Sequence, residues 1–144
     1  MDRKIQILLV EDNAADARLI EHELQVGGLE FRARYAESTD QFLYELKQYP
    51  PDLILSDHGL ASFDSFKALS AARERCPDVP FVFVTGSLGE ERMIQAFESG
   101  AADCVLKHRL YDLVPAVQRV LDEAEERKRL RAADAERQRL IQEL

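Results

Sequence analysis

Leu53-Ile54-Leu55-Ser56-Asp57 is a short, largely apolar run that ends on a polar residue, and the chain repeats the pattern three more times. Ile7-Leu8-Leu9-Val10 leads into Glu11-Asp12, Phe81-Val82-Phe83-Val84 into Thr85, and Val105-Leu106 into Lys107. Short apolar runs set between helical patterns are the mark of strands buried in a parallel sheet. Parallel strands all end on the same side. The polar residues therefore gather at one carboxyl edge, where open α/β sheets carry their sites.

Working outward from these runs, strand and helix patterns alternate five times. The first strand, Ile5 to Val10, leads to a helix from Ala14 to Gln25 with Leu19, Ile20 and Leu24 on one face, stopped by Gly27-Gly28. Phe31 to Ala36 alternates in the manner of a strand nearer the sheet edge. Ser38 then resembles the cap of a helix carrying Phe42, Leu43 and Leu46, which ends before Pro50-Pro51. The strand at Leu53 is followed by a helix from Ser65 to Arg75, and Pro80 introduces the strand Phe81 to Thr85. The next helix, Glu90 to Glu98, is expected to turn Met93, Ile94 and Phe97 inward, with Gly100 as a left-handed cap. A short strand, Cys104 to Leu106, precedes a last helix that starts near Asp112 and accepts Pro115 in its first turn.

Composition bounds the functions open to such a chain. With 144 residues, 46% of them hydrophobic, it can bury one full core and little more. A formal net charge of −8 opposes direct binding to nucleic acid, whose phosphates would repel it. No apolar stretch approaches a membrane span and no basic-then-apolar leader opens the sequence, so a cytoplasmic protein without membrane contact is expected. Cys76 and Cys104 fit neither a metal spacing nor a disulfide framework and read as reduced thiols, Cys104 in a buried strand. His22, His58 and His108 show no ligand spacing and read as surface or loop residues.

This alternation predicts a flavodoxin-like, doubly wound sheet of five parallel strands in the order 2-1-3-4-5, with an extended C-terminal helix. Glu11, Asp12 and Asp57 would then face one another across the crevice between strands one and three. Clustered carboxylates resist ionisation together unless a cation joins them, and oxygen donors with room for water suit Mg²⁺ or Mn²⁺.

The acidic pair, the central Asp, the Thr and the Lys, in that order at the ends of strands one, three, four and five, resemble the receiver domains of two-component response regulators, from about Lys4 to Leu121. The resemblance implies that Asp57 is a phosphoacceptor, that Asp12 ligates metal directly and Glu11 through water, and that the Gly59 carbonyl is a further ligand. Thr85 would bind the phosphoryl group and Lys107 would pair with it. It also implies a histidine kinase or phosphotransfer protein as donor, an output domain or partner protein, and no catalysis beyond the domain's own phosphoryl transfer and dephosphorylation. The chemistry asks for these residue types. An anionic nucleophile receives an anionic group, so cations must surround it, and a carboxylate ionised near neutral pH needs no general base.

Taken singly, each element has a plainer reading: Glu11-Asp12 as helix-cap acids, Asp57 as a turn residue, Thr85 as a strand end, Lys107 as an ordinary strand-end charge. Other functions also fit in outline. A flavin or nucleotide module would want glycines where Glu11-Asp12-Asn13 stands, a phosphatase-like hydrolase would want a second Asp where His58-Gly59 stands, and a degenerate receiver would act by protein contact alone.

The chain departs from the receiver pattern at several positions. His108 follows Lys107 where Pro is usual, which predicts a trans bond and a rearranged loop, since a non-proline cis bond costs about 3 kcal/mol. Cys104 replaces the usual aromatic residue, and Ala61 and Ser65 stand where Pro and Gly are common. Val84-Thr85-Gly86-Ser87-Leu88-Gly89-Glu90-Glu91 with Val105-Leu106-Lys107 resembles receivers found at the start of longer sensor kinases or cyclic-dinucleotide enzymes. The domain is placed at residues 1–124 and a charged helical extension at 125–144. Leu130 and Leu144 lie two heptads apart with Arg137 between them, so the extension is read as a connector that pairs with a partner helix or a second copy, against the alternative of a solvated tail. The sequence stops inside an uncapped helical pattern, which points to a boundary within a longer protein.

Overall fold

A computed structural model describes residues 4–60, 63–86 and 89–143. Ala61, Ser87, Leu88 and Leu144, which the sequence reading used, lie outside them. The elements are β1 (Ile5–Val10), α1 (Ala14–Val26), β2 (Phe31–Ala36), α2 (Thr39–Gln48), β3 (Leu53–Ser56), α3 (Ser65–Arg75), β4 (Phe81–Thr85), α4 (Glu90–Glu98), β5 (Asp103–Leu106) and α5 (Leu113–Gln142). The strands form one sheet in the order β2-β1-β3-β4-β5, all paired in parallel, as the sequence predicts.

Alternation along the central strands divides the core in two. Leu8, Val10, Ile54, Phe81 and Phe83 face α2, α3 and α4, where they meet Phe42, Leu46, Leu69 and Ala96. Ile7, Leu9, Leu55, Val82 and Val84 face the other way, against Ile20 and Leu24 of α1 and Leu113, Val117 and Val120 of α5. Successive side chains of a strand point to opposite faces, so one apolar run serves both layers.

Local signals set the helix ends. Asn13, Ser38 and Asp64 cap α1, α2 and α3, each side chain accepting from a backbone N–H in the first turn. Gly100, at φ +107, supplies the left-handed residue after α4.

Several expectations need correction. Leu19, Ile94 and Phe97 are exposed rather than inward-facing, and in α4 only Ala96 is fully buried. Periodicity marks an apolar face without stating how much of it the sheet covers. Cys104 is half-buried, because its strand lies at the sheet edge. His58 lies in the loop after β3, as expected, but half-buried and packed on Phe66 and Phe83. No cis peptide bond occurs among the described residues, and Lys107–Asp112 forms a 3₁₀ segment that leads directly into α5. α5 runs 30 residues without a break, but its last buried residue is Ala124.

Gly27, where α1 ends, lies against Val114: a Cβ there would stand 2.5 Å from Val114 Cγ2. Its φ of −75° suits any residue, so the constraint is steric. Gly27→Ala should destabilise the protein by about 1–3 kcal/mol, and Val114→Ala in the same chain should restore much of the loss, read as denaturation midpoints.

Candidate active site

Register explains why the polar residues converge. Val10, Ser56 and Phe83 lie level across β1, β3 and β4, and Thr85 is level with Leu106 of β5. Glu11 and Asp57 follow the first two of these strands immediately, and Lys107 follows the last. The Asp57 backbone N–H donates to the Val10 carbonyl at 2.9 Å, which ties the loop after β3 to the end of β1.

Lys107 crosses the crevice to three carboxylates. Its Nζ lies 2.6 Å from Glu11 Oε1, 2.8 Å from Asp16 Oδ2 and 3.0 Å from Asp57 Oδ2. The Glu11 side chain is 1% exposed and that of Asp57 11%, whereas Asp16 keeps 32%. Burial alone would lower the pKa of Lys107, but its bonds to the Asp16, Glu11 and Asp57 carboxylates outweigh it and hold the ammonium well above the ordinary lysine value. Glu11 is displaced upward, burial prevailing over its bonds to Lys107 and to the Asn13 N–H.

The other Asp57 oxygen, Oδ1, accepts from the His58 backbone N–H at 2.7 Å. The His58 ring is held by Ser65 Oγ, 2.6 Å from Nδ1, and by the edges of Phe66 and Phe83. Burial lowers its pKa, and Arg92 adds to that effect against the pull of Asp57. An open recess of about 580 Å³ adjoins this side, lined by His58, Ser65, Phe66 and Arg92 among others. A smaller hollow, about 410 Å³ between β1, β2 and the end of α2, shares none of these residues.

Of the residues expected from sequence, Glu11, Asp57 and Lys107 meet directly. Thr85 ends β4 fully buried, and Asp12 and Gly59 are exposed, Gly59 at φ +91. Among the described residues no group of three His, Cys, Asp or Glu side chains is arranged to hold a metal ion. Glu11 and Asp57 instead share an ammonium. Asp16 was missed by the sequence reading. Its signal is its place in the first turn of α1, four residues after Asp12, where a helix carries its side chain back toward the sheet edge.

The family model described as the response regulator receiver domain matches residues 7–118. The chain belongs to the response regulator receiver domain family. Among curated relatives of this receiver, the response regulator protein FleR of Pseudomonas aeruginosa is 32% identical over 113 residues, covering 76% of this chain and 24% of FleR. The transcriptional regulatory protein BaeR of Escherichia coli O6:H1 is 30% identical over 139 residues, covering 96% of this chain and 57% of BaeR. The receiver thus spans less than two thirds of these relatives. Among solved structures, a CheY-like receiver domain protein from Methanospirillum hungatei superposes with a TM-score of 0.76 at 24% identity, covering 87% of this chain and 99% of its own. The non-phosphorylated HemR receiver domain from Leptospira biflexa gives 0.70 at 25% identity, covering 82% and 94%.

The electrostatics predict how the receiver responds to loss of its central cation. Lys107→Met leaves Glu11 buried without its counter-charge and should cost about 3 kcal/mol at pH 7. The carboxyl of Glu11, already raised in the folded state, would rise further, so the folded variant binds more protons than the unfolded chain. Stability of Lys107→Met relative to wild type should therefore recover as pH falls from 7 toward 5, as followed by urea denaturation.

Proposed function

We propose that Asp57 is the phosphoacceptor of this receiver, taking a phosphoryl group from a phosphohistidine on a histidine kinase or phosphotransfer protein, or from a small phosphodonor. The observation that carries the reading is the approach of Lys107 Nζ to 3.0 Å from Asp57 Oδ2, made across fifty residues of chain and inside a polar edge. Asp57 attacks phosphorus in line, the bond from phosphorus to the donor's nitrogen or oxygen breaks, and an acyl phosphate remains on the carboxylate. Lys107 stabilises the charge on the transferred oxygens. Thr85, at the end of β4, would donate its hydroxyl hydrogen to a phosphoryl oxygen once the group is in place. Water then hydrolyses the acyl phosphate and returns the domain to its starting state.

The donor chemistry fits a divalent cation. Glu11, Asp16 and Asp57 set three negative charges against the single charge of Lys107, Asp12 adds a fourth at the rim, and all are hard oxygen donors. Asp12, Asp57 and the Gly59 carbonyl would hold Mg²⁺, or Mn²⁺ in its place, with Glu11 reached through water. Bound there, the ion would supply positive charge that neutralises the phosphoryl oxygens.

Residues 1–124 carry this function, and 125–144 act as a helical connector to an output domain or partner protein. The extension would also carry any homodimer contact, and the chain's net charge of −8 speaks against direct nucleic-acid contact.

Incubation with phosphoramidate and Mg²⁺ should add one phosphoryl group to the intact mass. The gain should disappear in Asp57→Asn and in excess chelator. A gain retained in Asp57→Asn would place the acceptor elsewhere.

A further inference from the structure

We propose that Asp16 is a positioning residue for Lys107, holding the ammonium toward α1 and releasing it to the incoming phosphoryl group. The inference rests on Asp57 being the acceptor and goes beyond it.

An ammonium has three hydrogens to donate, and three carboxylates surround this one. The hydrogen bonds run to Asp16 and Asp57, Glu11 standing at ion-pair distance, and a phosphoryl oxygen that draws the ammonium toward itself competes with these contacts. The three are not equally free to leave. Glu11 has a side chain 1% exposed, and losing the cation would strand a buried charge. Asp57 is the group under attack, and its contact moves with the phosphoryl group that it receives. Asp16 is 32% exposed and can exchange the ammonium for water at small cost, because half-exposed ion pairs are weak. Its carboxylate is therefore the contact that yields.

Two further features fit this role. Asp16 is held in place by its own backbone N–H, which donates to Asn13 Oδ1 at 3.0 Å, so the side chain starts from a fixed point in the first turn. α1 is packed on the sheet through Ile20 and Leu24, so Asp16 stays at the crevice when Lys107 leaves. Asp16 thus competes with the transition state for the charge that stabilises it. It slows uptake of the phosphoryl group while keeping Lys107 extended across the crevice.

The test measures phosphoryl uptake from phosphoramidate with Mg²⁺, by intact mass over time, in wild type, Asp16→Asn, Asp16→Glu, Lys107→Ala and Lys107→Ala with Asp16→Asn. Circular dichroism on each protein checks folding. Asp16→Asn should take up phosphate about threefold faster than wild type, the size expected for release of a half-exposed ion pair. Asp16→Glu should return toward the wild-type rate, and Asp16→Asn should bring no gain once Lys107 is absent. A role confined to the stability of α1 would not depend on Lys107. Uptake in Asp16→Asn that equals or falls below wild type, or a gain of equal size without Lys107, overturns the proposal. A wild-type protein that takes up no phosphoryl group at Asp57 instead overturns the reading on which the proposal rests, so the two failures are distinguishable.

Discussion

The Lys107 ammonium joins four elements that the chain separates widely: the ends of β1, β3 and β5 and the first turn of α1. Coulomb attraction at these distances is large in a partly dry crevice, but so is the cost of removing four charged groups from water. A well-packed apolar cluster would stabilise the edge as well or better. What the ionic arrangement supplies is a fixed positive charge beside Asp57, held ready before any anion arrives. That preorganisation is the property catalysis needs, because the cation already stands within the crevice when charge develops and has only a partner to exchange.

The scaffold makes such precision possible with little material. β3 and β5 are four residues each, yet β3 is flanked on both sides by paired strands and all its residues are buried. The ring cluster of Phe42, Phe63, Phe66, Phe81 and Phe83 fills one layer, with adjacent centroids 5.2–6.3 Å apart. His58 extends it to within one residue of Asp57. The loop that carries Asp57 is therefore braced by core packing on one side and by the β1 carbonyl on the other.

The sheet order, the strand limits and three of the four groups at the crevice were legible in the sequence, for a physical reason: a strand buried on both faces must be apolar, so the first charge after it marks its end. Helix faces were less legible. Ile94 and Phe97 have the spacing of inward residues, but α4 rests on the sheet mainly through Ala96, and the small side chain leaves its larger neighbours outside. Asp16 was hidden because one carboxylate in a helix's first turn has an ordinary explanation in the helix dipole. Only the three-dimensional reach of Lys107 gives it another. The Cys104 thiol is pushed up to about 11 by burial and by Asp103, which leaves it chemically quiet.

The far half of α5 poses a different question of balance. Through Ala124 the helix is anchored by Leu113, Val117 and Val120; beyond it, every described residue is exposed. What supports that part is a set of surface ion pairs: Arg129 with Glu126, Arg139 with Glu136, and Arg131 reaching Asp78 beside β4. Each is worth a few tenths of a kcal/mol, too little to hold a long charged helix in water. The Arg131–Asp78 pair differs in kind, because it ties the projecting helix to the body two turns past its last buried residue. The direction in which α5 leaves the domain follows from its buried first half, while Leu130, Leu140 and Ile141 remain uncovered on its surface. Direction is fixed by the receiver, whereas the stability of the far end depends on what meets those side chains.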